Sequence, residues 1–109
     1  MKKQIGEKIV ISKDFIIEGF LGRNPRQILK GDEGFIDSEG LLHYTTGEAH
    51  GCIQKVTDVE LEGYATDNIA KLIFEHISHR FGFKEFLEGY EIEDIQVIDE
   101  IEYILSEIL

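Results

Sequence analysis

Four histidines and one cysteine are the side chains of this 109-residue chain best suited to soft-metal or thiol chemistry. His50 and Cys52 stand two apart. His76 and His79 stand three apart, a separation that puts two imidazoles on one side of a helix. Three histidines and a cysteine are enough ligands to close a tetrahedral zinc site. The spacing matches no zinc ribbon or finger, however. Both helical histidines also fall beside Leu72 on the flank of an apolar face, where amphipathic side chains commonly lie. The expectation is no metal and no cofactor, with His76 partly buried and structural.

A thiol nucleophile is the second chemistry these residues suggest. Cys52 has His43 and His50 nearby in sequence, and Asp58 could orient an imidazole. No helix N-terminus stands beside Cys52 to stabilise a thiolate. The commonest role of a lone cysteine is a small buried hydrophobe inside a strand. Phosphate binding is the third: Gly19-Phe20-Leu21-Gly22-Arg23-Asn24 is a glycine-containing loop with Arg23 and Arg26 as anion partners. It lacks the lysine and following hydroxyl of a P-loop and leads into no convincing helix. Arg23 and Arg26 are read as decoration on a turn. The chain is therefore expected not to be an enzyme. The alternative is a small metal- or thiol-dependent enzyme or module using His43, His50, Cys52, His76 and His79.

Carboxylates are the most abundant chemical group. From Glu85 onward, Glu85, Glu88, Glu91, Glu93, Asp94, Asp99, Glu100, Glu102 and Glu107 follow a single Lys84. Catalytic carboxylates need apolar surroundings to raise their pKa, and these project mostly from solvent-facing positions. Glu93 and Asp94 stand at a helix N-terminus, where negative charge is favoured for structural reasons. The helix that follows carries an acidic ridge with an aromatic ring in its middle, which is how an interface anchor presents itself. Glu93, Asp99, Glu100, Tyr103 and Glu107 are the expected partner-binding residues.

Bulk charge agrees with that reading. The chain has 11 Lys and Arg against 22 Asp and Glu, a formal net charge of −11. Residues 1–30 balance at +4 and residues 31–109 at −15. Such a surface repels nucleic acid and acidic membranes and attracts basic proteins at long range. One cysteine excludes an intramolecular disulfide, the N-terminal MKKQIGEKIVISK has no apolar run fit for a signal peptide, and no stretch approaches a membrane span. A cytoplasmic protein is expected.

Two helices must position these groups. Ile69 to Phe81 places Ile69, Ala70, Ile73, Phe74, Ile77 and Phe81 on one face, with Lys71, Glu75 and Ser78 opposite. Thr66, Asp67 and Asn68 are expected to cap its start and Gly82 to close its end. Glu93 to Leu109 carries an apolar arc of Val97, Ile98, Ile101, Ile104, Leu105 and Ile108. That arc is wide enough to pack on a sheet and a neighbouring helix together. Phe83 to Glu88 reads as one or two further helical turns.

The residues before Ile69 read as strands. Lys8–Ser12 and Phe15–Leu21 suggest a hairpin across Lys13-Asp14. Arg26–Lys30 is either an edge strand or a helical turn. Phe35–Asp37 and Leu41–Thr45 flank a tight turn at Ser38-Glu39-Gly40. Thr46–Gly51 reads as a longer loop, and Cys52–Leu61 as one strand with a bulge or change of face. The expected fold is α+β over a single domain, residues 1–109: an N-terminal antiparallel sheet of four or five strands, covered on one face by two C-terminal helices. The expected function is that of a small acidic inhibitor. An immunity or antitoxin-like protein that neutralises a basic, nucleic-acid-acting partner such as a nuclease toxin has this physical profile.

Overall fold

The computed structural model describes residues 2–18 and 24–109. The fold is α+β, with short strands preceding helices. The chain divides into two compact units, Met1–Gly63 and Tyr64–Leu109.

The first unit holds β1 (Lys2–Ile5), β2 (Lys8–Val10), β3 (Phe15–Ile17), β4 (Arg26–Ile28), β5 (Glu33–Ile36), β6 (Leu41–Tyr44) and β7 (Ile53–Lys55). β8 (Glu60–Tyr64) ends it. An antiparallel four-stranded sheet runs β2-β5-β6-β7, while β3 pairs with β4 and β1 with β8. The β5–β6 hairpin is its centre, as the turn chemistry requires. Asp37 Oδ1 accepts the Glu39 and Leu41 N–H groups at 2.8 and 2.9 Å, and Gly40 takes a φ of +81°. Both strands alternate strictly, so Ile36, Leu42 and Tyr44 turn inward. With Ile28 and Ala49 they form the buried core, lined further by Ile9, Ile11, Phe15, Ile17, Cys52, Val56 and Leu61.

Two strand readings need correction. Lys8–Ser12 and Phe15–Leu21 form no hairpin: β2 pairs with β5, and β3 with β4. Beyond Val10 the chain is held against residues 29–33 instead. Ile11 N–H donates to Asp32 O, Gly31 N–H to Ile11 O, and Lys30 N–H to Asp14 Oδ1. Residues 19–21 of the expected second strand lie outside the described residues. Arg26–Lys30, open between an edge strand and a helical turn, is the strand: it supplies β4, the partner of β3. Cys52–Leu61 is two strands in different sheets, separated by Asp58 at a φ of +57°.

The second unit is helical: α1 (Thr66–Phe81), α2 (Phe83–Gly89) and α3 (Asp94–Ile108). Between the two long helices, the one or two helical turns expected over Phe83 to Glu88 are present as the seven-residue α2. Gly82 closes α1 as anticipated, with φ +65° and its N–H on Ser78 O at 2.9 Å. The start of α1 differs. Ala65 is the N-cap with no side-chain capping bond, and Thr66, Asp67 and Asn68 lie inside the first turn.

The buried stripe of α1 is Ala70, Phe74 and Ser78, one residue every turn, with Phe74 only 1% exposed. Ser78 thus lies on the buried stripe and not on the polar face expected of it, while Ile77 and Phe81, expected on the apolar face, are exposed. Phe74 lies against Phe83 of α2 with ring centroids 6.0 Å apart. α3 packs mainly on α1. Its apolar arc is half the circumference wide, and a single neighbouring helix covers only part of that. Val97, Ile98, Ile101 and Leu105 are half-buried, whereas Ile104 and Ile108 stay 52% and 74% exposed. The arc is therefore not buried across the whole width that its six apolar residues suggest. Among the described residues, no helix is long and apolar enough to cross a membrane.

Candidate functional site

α3 begins with a reciprocal cap. The Glu93 carboxylate accepts the Gln96 N–H, and Gln96 Oε1 accepts the Glu93 N–H at 2.8 Å. Glu93 is thus the N-cap as well as the first residue of the expected ridge. Glu93, Glu100 and Glu107 are seven apart, which sets them along one line of the helix. Asp99 and Tyr103, four apart, run beside that line. All five side chains face solvent, and Tyr103 is 61% exposed.

The electrostatics of this surface are one-signed. Residues 85–109 contain nine carboxylates and no Lys, Arg or His. The second unit as a whole has three cations, Lys71, Arg80 and Lys84, against 11 acids. Lys84 is committed to Glu75 at 3.3 Å and lies 5.9 Å from the Phe74 ring centroid. Among the described residues, every ion pair joins groups outside α3. The ridge therefore offers its negative charge uncompensated.

Exposed aromatic surface on and beside α2 escaped the sequence reading. Phe81, Phe86 and Tyr90 are exposed, and the Phe86 and Tyr90 rings lie 4.9 Å apart. The signal was the aromatic density of Phe81-Gly82-Phe83 and Phe86 to Tyr90, which exceeds what one short helix can bury.

The remaining candidates are placed unit by unit. Cys52 is half-buried against the core beside Tyr44, whose N–H donates to Cys52 O at 3.0 Å. His43 is the next residue along β6 and points away from that face. It stacks on Phe35 at 4.7 Å, and its Nε2 meets Asp37 Oδ2 at 2.7 Å. Asp37 is thus a carboxylate that orients an imidazole, that of His43. Burial pushes the Asp37 carboxyl up, but His43 and the Leu41 and Glu39 N–H groups outweigh it and hold the carboxyl below its usual range. This pair is a latch across the β5–β6 turn, six residues apart in sequence.

His50 is exposed, and so are His76 and His79, which corrects the partly buried role expected of His76. His50 and Cys52 belong to the first unit, and His76 and His79 to the second. Among the described residues, no group of three His, Cys, Asp or Glu side chains is placed to hold a metal ion. Arg26 lies in β4, and residues 19–23 of the candidate phosphate loop fall outside the described residues.

Two expectations follow. Chelator should leave the melting temperature of the purified protein unchanged, and elemental analysis should find far less than one zinc per chain; a 1:1 ratio with chelator-induced melting would contradict this. Cys52→Ser should lower stability by about 1 kcal/mol, because a half-buried hydroxyl needs a partner the thiol did not. It should leave binding untouched. Lost binding at unchanged stability would instead point to thiol chemistry.

No protein-family model matches the chain, and neither curated proteins nor solved structures give a significant match.

Proposed function

We propose that this chain is a small acidic binding protein that inhibits a basic partner in the cytoplasm. An immunity or antitoxin-like protein acting on a nucleic-acid-processing enzyme, such as a nuclease toxin, is the form that suits it best. The observation that carries the reading is the uncompensated α3 ridge: exposed carboxylates with no cation within residues 85–109. An enzyme that handles nucleic acid lines its groove with Lys and Arg to meet phosphates. A rigid helix presenting carboxylates and an exposed tyrosine would occupy that groove and exclude the substrate. Complementary charge accelerates encounter as well as selecting the partner. The same surface repels nucleic acid, so the chain acts on the enzyme and not on its substrate. The alternative, an enzyme built on His43, His50, Cys52, His76 and His79, gains no support from the geometry of those residues.

Affinity capture from the native host with the wild-type protein and with an Asp99→Lys/Glu100→Lys variant tests the proposal. The wild type should retain a basic protein that mass spectrometry identifies, and adding the chain back should suppress that protein's nuclease activity. Retention of the same protein by the charge-reversed variant would remove the ridge from the site.

A further inference from the structure

The acidic ridge borders a partly exposed apolar seam, open at Ile104 and Ile108 and half-buried at Val97 and Ile101, and the seam has a helical repeat. Val97, Ile101, Ile104 and Ile108 are spaced four, three and four apart, the a/d spacing of a helix that packs along another helix. Val97, Ile101, Ile104 and Leu105, with Glu100, line an open groove on α3. In this frame Glu93, Glu100 and Glu107 occupy the three successive flanking g positions. Ile98 and Leu105, on the other flank, are half-buried.

We infer that this seam receives an amphipathic helix of the partner, one with aliphatic residues at a and d and Lys or Arg on its flanks. The inference rests on the reading above that the partner is basic. Charge decides the occupant. The flanking positions of a paired helix meet those of its neighbour and set partner choice. A second copy of α3 laid antiparallel would bring Glu93, Glu100 and Glu107 against the same three carboxylates, a like-charge contact that disfavours pairing. A helix with cationic flanks meets all three with opposite charge while its aliphatic stripe covers Ile104 and Ile108. Tyr103 lies outside the seam and contributes at its rim.

The test uses a synthetic 21-residue peptide with Leu at a and d, Lys at e and g, and Ala and Gln elsewhere. Its controls are a scrambled peptide of the same composition and a Glu-for-Lys version. The Lys peptide should bind the full chain and gain helicity by circular dichroism, at least tenfold more tightly than the scrambled peptide. Ile104→Ser/Ile108→Ser should weaken it tenfold or more with the protein's melting curve unchanged. Glu100→Lys/Glu107→Lys should shift preference to the Glu peptide, which keeps the test decisive if the serine variant fails to fold.

Equal binding of the Lys and scrambled peptides, lost in Asp99→Lys/Glu100→Lys but kept in the serine variant, overturns the seam and leaves the basic-partner reading standing. No binding of either peptide even at low salt overturns both. A free chain that sediments as a dimer and becomes monomeric in the serine variant assigns the seam to a second copy and overturns the inference.

Discussion

Replacing Gly34 by alanine is expected to cost about 3 kcal/mol or more, a large share of the roughly 5–15 kcal/mol that holds a typical domain. A Cβ at Gly34 would collide with the His43 carbonyl oxygen and fall 2.9 Å from Leu42 Cδ1 and 3.2 Å from the His43 carbonyl carbon. Two of these three are backbone atoms and cannot swing aside. Gly34 pairs with Tyr44 on one side and with Ile9 on the other, so relief requires β5 and β6 to separate at the middle of the sheet. Separation exposes Ile36, Leu42 and Tyr44, each 5% or less accessible. Burial of side chains of this size contributes about 1.5–3 kcal/mol apiece. The melting temperature should fall by more than about 10 °C. Gly31→Ala is the control: nothing lies within 4 Å of its Cβ, and only the φ of +95° is strained. It should cost about 1 kcal/mol. Equal and small losses for the two variants would mean that β5 and β6 do not pair in this register.

That contrast shows which features the sequence could carry. The Ser38-Glu39-Gly40 turn and the Gly82 helix stop were legible because the residues that set them are adjacent. Strand partners were not. Phe15–Ile17 finds Arg26–Ile28 and Lys8–Val10 finds Glu33–Phe35, choices made across the chain by the core and by Asp14 and Asp32 rather than by either strand's own pattern. The two long helices were legible as elements and only partly as surfaces. A 3.6-residue period gives the width of an apolar arc but not which stripe a neighbour covers. Ser78 is consequently buried on α1 while Ile77 is exposed, and Ile104 and Ile108 stay open on α3. The ridge was the reverse case. Outward-facing carboxylates without cations need no tertiary partner to be placed, so all five predicted residues are exposed.

Charge reversal on that ridge should produce the largest functional effect. Asp99 and Glu100 are exposed, take part in none of the ion pairs found among the described residues, and lie away from the α1-facing stripe of α3. Asp99→Lys/Glu100→Lys should therefore change stability by no more than about 0.5 kcal/mol per site. Glu93 is unsuitable for this purpose, because losing its cap costs about 1 kcal/mol of helix stability. Against the captured basic partner, the double variant should associate at least about tenfold more slowly, since steering raises on-rates by about 10–10³. The wild-type on-rate should itself fall steeply between low and physiological salt, where the Debye length shrinks to about 8 Å. Tyr103→Ala should leave the on-rate alone and raise the off-rate if the ring is desolvated in the complex. Stopped-flow or surface-binding kinetics at three salt concentrations separate these effects. If the partner docks instead on the glycine-rich strand region, residues 31–51, both variants will match the wild type in affinity. On-rate and off-rate will then be close to the wild type's as well, and Asp99, Glu100 and Tyr103 would leave the site.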